Sequence, residues 1–189
     1  MTVNVKTWKI EADAYLQMME AGIIRASDRV ELFDGKIVEM SPIGNSHAGM
    51  VDRIANVLML YIKGRAIIRV QNPVRLSELS MPQPDVAILH QNDNYYSDTT
   101  PGPADIHLLI EVADSSLDYD QDFKLHHYAE AGIREYWIVD LPQHRLLRYY
   151  EASGQEYRHR EIIQVHQSVT LRDFDLEIPA LELLGPTPE

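Results

Sequence analysis

Two runs in this chain, "DVAIL" (85–89) and "HLLIEVA" (107–113), are continuously apolar where a half-buried strand would alternate. Such runs fit central strands covered on both faces, so the chain needs a sheet with helices packed on it. The second run nevertheless carries a carboxylate, Glu111, and four more acids follow it before a single lysine, Lys124. An unpaired charge inside a protein is costly or shifts its pKa. Glu111 is therefore either a strand-end acid facing water or part of a site that binds something.

The chain has 189 residues, enough for one domain with a substantial core, expected here over 1–189. No window approaches about 18 uninterrupted apolar residues, so no membrane span is expected. The opening "MTVNVKTWKI" lacks the apolar core of a leader. There is no cysteine, which removes disulfides, thiol nucleophiles and cysteine–zinc sites, and a reducing cytoplasm is the simplest home. The net charge of −12 argues against broad phosphate binding. Clustered carboxylates that hold cations offer a partial way out, and Arg53, Lys63, Arg65, Arg69 and Arg75 could form a local basic stripe.

Along the chain, "EADAYLQMMEAGII" (11–24) reads as a helix with Ala12, Tyr15, Leu16, Met19 and Ile23 near one face. Residues 29–40 read as a hairpin about Asp34-Gly35. Asn45-Ser46 offers a cap to a second helix over 47–63, with His47 on its inward face. Strands are expected at 66–70, 73–76, 85–89 and 107–113, with a polar loop at 90–105. A third helix fits 120–131 and ends at Gly132. "EYWIVD" (135–140) is another buried strand, followed by a hairpin turning at Ser153-Gly154 and a closing segment "SVTL…LEIPALELL". The class is α+β, a central mixed sheet with helices packed on it.

If the strands at 85–89 and 107–113 pair as a hairpin, Asp85 at the start of one meets Glu111 near the end of the other. Two converging carboxylates repel, which raises a pKa or recruits a cation. A hard divalent ion suits such a pair, because Mg²⁺ keeps several waters and needs few protein oxygens. Lys124 would then steady an attacking water or developing negative charge. Asp120, Lys124 and Tyr128 are spaced to share a helix face, and Asp120 could orient the lysine. Taken singly, each has a plainer role: a turn aspartate, a strand-end acid, a solvated lysine. Glu31 alternates with Val30 and Leu32 and faces either a site or solvent. His47 reads as a packed, satisfied histidine, with phosphate donation as the functional alternative. His126 and His127 point about 100° apart on a helix and read as surface residues. Glycine-rich phosphate loops and the H-E-x-x-H and G-x-S-x-G patterns are absent, and Ser115-Ser116 reads as a turn.

The order "VELFDGKIVEMSP…SHA", "PQPDVAIL", "LLIEVADSSLDYDQDFKLHHYAEAGIREYWIVDL" resembles a bacterial family of restriction-endonuclease-like proteins, long described as a domain of unknown function, whose members look like PD-(D/E)XK nucleases. The resemblance covers about residues 7–184, and 111–141 is its most specific part. It implies a restriction-endonuclease-like fold, with Asp85 as the motif aspartate, Glu111 as the second acid and Glu31 as a further acidic residue. The superfamily pattern places lysine two residues after the second acid, where this chain has Ala113. The resemblance implies that Lys124, from the following helix, takes that place.

The expectation is a Mg²⁺-dependent endonuclease acting on nucleic acid, DNA first, with Asp85 and Glu111 as metal ligands and Mn²⁺ as a substitute ion. Asp120, His47 and Tyr128 would support it, and a homodimer would suit the cutting of two strands. The alternative is a non-catalytic module that keeps the nuclease fold for binding, in line with the acidic balance and the displaced lysine.

Overall fold

The structure is a computed structural model and describes residues 7–25 and 27–186. Most of the opening stretch that lacks a leader-like core lies outside those residues.

A six-stranded mixed sheet organises the chain, in the order β3-β4-β5-β6-β7-β8. Its strands are β3 (Ile67–Val70), β4 (Val86–Leu89), β5 (Ile106–Ala113), β6 (Glu135–Asp140), β7 (Arg145–Ser153) and β8 (Glu156–Gln164). Only β5 and β6 run parallel; the other neighbours are antiparallel. That parallel step needs a crossover, supplied by a π-helical turn (Tyr119–Lys124) running into α3 (Leu125–Glu130).

β5 is covered on both faces, as its unbroken apolar run requires. Leu108, Ile110 and Val112 join a core with Val51, Ile54 and Leu58 of α2 (Asn45–Ile62) and Leu183 of α4 (Ala180–Leu184). Leu109 and Ala113 face the other way, into a core with Leu125 and Tyr128 of α3 and with Phe33. By alternation Glu111 belongs to this second face, toward α3.

Two small hairpins flank the sheet: β1 (Val30–Phe33) with β2 (Lys36–Glu39), and β9 (Ser168–Leu171) with β10 (Leu176–Pro179). The first turns at Asp34 and Gly35, both at positive φ (50° and 74°). Gly35 also accepts a bond from Ile10 N and donates one to Leu79 O, so three segments meet there. A Cβ on Gly35 would lie 2.6 Å from Lys9 Cβ. Gly35→Ala is therefore expected to cost about 2 kcal/mol or more, from left-handed strain and overpacking together. Urea titration checks this; an unchanged midpoint would show that the contact relaxes freely.

Several sequence expectations shift. Helix α1 spans only Ala12–Glu20, because the chain turns at Ala21-Gly22; Ala12 and Tyr15 are buried while Met19 and Ile23 are exposed. Helix α2 begins at Asn45 with Gly44 at its cap and no side-chain capping bond, so Asn45 and Ser46 lie inside the helix. Residues 73–76 form no strand: Val74 N bonds Pro82 O and Leu76 N bonds Ser80 O, which folds the segment back on itself. The 90–105 loop is pinned by buried Tyr96, whose hydroxyl donates to His90 O. Among the described residues no helix is long and apolar enough to cross a membrane.

Candidate functional site

The register of β4 on β5 pairs Val86 with Ile110, so Asp85 and Glu111 stand one step beyond, at matching positions on neighbouring strands. Helix α3 packs over this face, and Lys124 comes from the π turn that precedes it. Leu125 N bonds Asp120 O there, a wider turn than the α-helical one. It presents Asp120, Lys124 and, in α3, Tyr128 toward the strands. The β1–β2 hairpin closes a further side with Glu31.

These groups meet with almost no solvent. Glu31, Asp85, Glu111, Asp120 and Lys124 each keep 6% or less of their surface exposed. Lys124 Nζ donates to Glu111 Oε1 at 2.9 Å and lies 3.4 Å from Glu31 Oε1 and 4.0 Å from Asp120 Oδ1. The Tyr128 hydroxyl donates to the same Glu111 oxygen at 2.7 Å. Ser116 Oγ donates to Asp120 Oδ2 at 2.7 Å. Asp85 Oδ2 faces His47 Nε2 at 3.0 Å and accepts from Val112 N at 2.9 Å, while Oδ1 accepts from Gln71 Nε2 at 3.1 Å. Glu31 Oε2 accepts from Gln83 N at 3.2 Å, and Gln83 Nε2 donates to Gln71 O.

The electrostatics follow from four buried carboxylates around one ammonium. Burial pushes Glu111 well above the usual carboxylate range, and its acidic neighbours Asp85, Asp120 and Glu31 add to that against Lys124. Asp120 is pushed up to about 6, again mainly by burial. Lys124 goes the other way from an ordinary buried lysine. Burial alone would lower it, but Glu111, Glu31 and Asp120 together raise it and hold the ammonium charged. At Asp85 burial is outweighed by His47, the Val112 N–H and Gln71, which leave the carboxyl below its usual value.

The cluster opens on a cleft of about 350 Å³ lined by Arg29, Glu31, His47, Asp85, Glu111, Tyr119, Asp120 and Lys124, with the 40–44 segment on one side. Among the described residues no three His, Asp or Glu side chains form a ready metal-ligand set. Lys124 already stands against Glu31 and Glu111, where it does part of a cation's work. The donor chemistry still fits a hard divalent ion: Asp85 and Glu111 present carboxylate oxygens from adjacent strands to one cleft, with surplus negative charge around them.

All seven residues singled out in the sequence fall in this one cluster, though His47 is not the satisfied histidine expected. Its Nδ1 is buried without a partner, because the ring reaches Asp85 through Nε2 alone. Ala113 is fully buried on the α3 face, so the ammonium comes from the π turn and not from the strand. His127 is not a plain surface residue: its ring packs on Phe33 and Phe123, and Nε2 lies 3.2 Å from Asp34. The candidate basic residues are partly committed elsewhere, Arg75 to Asp13 and Glu78, and Arg65 to the carbonyls of Ile62 and Phe174. Gln71, Gln83, Arg29 and Tyr119 went unnoticed in the sequence. Nothing in their spacing marks them, since each is joined to the site by the fold.

A sequence model of the family Uma2, described as "Putative restriction endonuclease", matches residues 12–181. No curated protein matches the chain. Among solved structures, a "putative nuclease belonging to DUF820" from Anabaena variabilis superposes with a TM-score of 0.70 at 14% identity, covering 93% of this chain and 97% of that one. At that identity the likeness speaks for the fold.

Proposed function

The chain belongs to the Uma2 restriction-endonuclease family, and from that premise we propose that it is a metal-dependent endonuclease that hydrolyses phosphodiester bonds of nucleic acid, DNA first. The observation that carries this reading is the convergence of Asp85 and Glu111 on one cleft, with Lys124 Nζ 2.9 Å from Glu111.

Asp85 and Glu111 would hold the ion, Mg²⁺ or Mn²⁺, which when bound polarises a phosphoryl oxygen and lowers the pKa of water. The chain's own groups do the rest. His47, Gln71 and the Val112 N–H fix the Asp85 carboxylate, so that it is ionised and aimed before substrate arrives. Tyr128 and Lys124 fix Glu111. Lys124, kept charged by its carboxylates, offers preorganised positive charge to the phosphorane-like transition state and to the water. In the balanced reaction a water oxygen bonds to phosphorus, the bond from phosphorus to one sugar oxygen breaks, and that oxygen leaves with a proton. A homodimer would supply two such centres for the two strands of a duplex.

Metal binding tests this without relying on activity. Mg²⁺ or Mn²⁺ at about 100 times its Kd should stabilise the protein by about 2.7 kcal/mol. Asp85→Asn should remove that gain in differential scanning calorimetry while leaving the secondary structure unchanged. A gain that persists in Asp85→Asn would place the ion elsewhere.

One observation favours a second reading, a nuclease fold kept as a binding scaffold. The cluster is largely self-satisfied, with Lys124 against three carboxylates and Asp85 holding three polar contacts. A scaffold would bind nucleic acid or a protein but show neither the metal-induced stabilisation nor cleavage.

A further inference from the structure

The cleft holds two cationic side chains, Lys124 and Arg29. Lys124 is enclosed by carboxylates, so it is poorly placed to receive an anion from outside. Arg29 is half-buried, lines the same cleft as Glu31 and Glu39, and makes no ion pair among the described residues. Its Nε is buried with no hydrogen-bond partner.

That orphan has company. Among the described residues six buried side-chain nitrogen or oxygen atoms lack a partner, and three of them, Arg29 Nε, His47 Nδ1 and the Tyr119 hydroxyl, belong to residues lining this cleft. An unmet buried polar group costs about 1–3 kcal/mol, so three around one opening mark a place where a ligand completes the bonding. Tyr119 keeps its proton, since burial raises its pKa, and so serves as a donor.

We propose that Arg29, with Tyr119, forms the anion-binding wall of the cleft and grips a single phosphate of the nucleic-acid backbone. This rests on the nuclease reading of the cleft and adds to it the element that recognises substrate. A guanidinium suits the task because its fork matches two phosphate oxygens. The grip is confined to one phosphate because the cleft's other lining charges, Glu39 and Asp114 among them, are acidic and repel flanking phosphates. The net charge of −12 is then no obstacle: the chain binds nucleic acid at one point and not along a basic track.

The test is binding of a short fluorescein-labelled DNA duplex by fluorescence anisotropy, with the intact chain and Ca²⁺ in place of Mg²⁺, across a series of salt concentrations. Arg29→Gln should weaken binding at least about tenfold and reduce the slope of log K against log salt by about 1. Arg29→Lys should keep the slope but recover only part of the affinity, because the charge remains and the fork is lost. Lys36→Gln, at an exposed position at the start of β2 and outside the cleft lining, should change neither quantity. Melting curves confirm that the variants are folded. Wild-type affinity and slope in Arg29→Gln would overturn the assignment while leaving the nuclease reading in place, as would an equal loss in Lys36→Gln. No binding of DNA by the wild-type chain would overturn both.

Discussion

Glu111→Gln is expected to abolish cleavage, by about a thousandfold or more, and at the same time to raise the melting temperature of the metal-free protein. The two effects have one cause. Glu111 is buried among Asp85, Asp120 and Glu31, and the charge that the proposed ion would call for is disfavoured when no ion is there. Each pKa unit by which the fold raises a carboxyl corresponds to about 1.4 kcal/mol against its ionised form. Glutamine keeps the shape and an oxygen that can still accept from Lys124 and Tyr128. Lys124 retains Glu31 at 3.4 Å and Asp120 at 4.0 Å, so its ammonium is not stranded. A stability gain of about 1 kcal/mol or more should appear in EDTA and disappear once Mg²⁺ is added, because only the wild type gains from the ion. The pair of measurements is a melting curve with and without metal and a single-turnover cleavage assay. A variant less stable than wild type in EDTA would mean that the Lys124 ion pair outweighs the repulsion. The electrostatic account of the cluster would then fail.

What was legible in the sequence follows from which interactions are local. The buried strands β4, β5 and β6 announced themselves through unbroken apolar runs, and the convergence of Asp85 with Glu111 followed from pairing two of them. The turn at Asp34-Gly35 was legible because left-handed backbone needs particular residues. The spacing of Asp120, Lys124 and Tyr128 suggested a shared face, but not the π turn that brings the first two inward. That turn answers to packing over the sheet and has no propensity signature of its own. The apolar pattern of 11–24 overstated α1, since a helix face is buried only where something covers it. The polar partners of the site were the least legible. Gln71 is 14 residues from Asp85, and Gln83 is 52 from Glu31. Such contacts depend on how a loop returns and not on which residues it contains. His47 and His127 were misjudged for the same reason, as their partners lie 38 and 93 residues away.

Lys124→Met should be the most damaging single change to the fold among these residues. It removes the one ammonium that Glu31, Glu111 and Asp120 share and leaves three buried carboxylates without it. Breaking a buried pair from one side typically costs about 3–5 kcal/mol, because the orphaned charge remains in a poorly solvated place. Cleavage should vanish as well, since no other cation stands within 4.0 Å of these carboxylates among the described residues. Lost cleavage alone would be ambiguous, because a partly unfolded protein does not cut. Adding Glu111→Gln to Lys124→Met separates the two roles. With one carboxylate neutralised, the double variant should recover part of the stability lost by Lys124→Met, while cleavage stays absent. The expected coupling energy is about 1–3 kcal/mol, in the range for residues in direct contact within one network. Urea titrations of the four proteins in EDTA give that number. Additive effects of the two substitutions would show that Lys124 and Glu111 stabilise the fold independently, and the charge-sharing that orders this site would have to be abandoned.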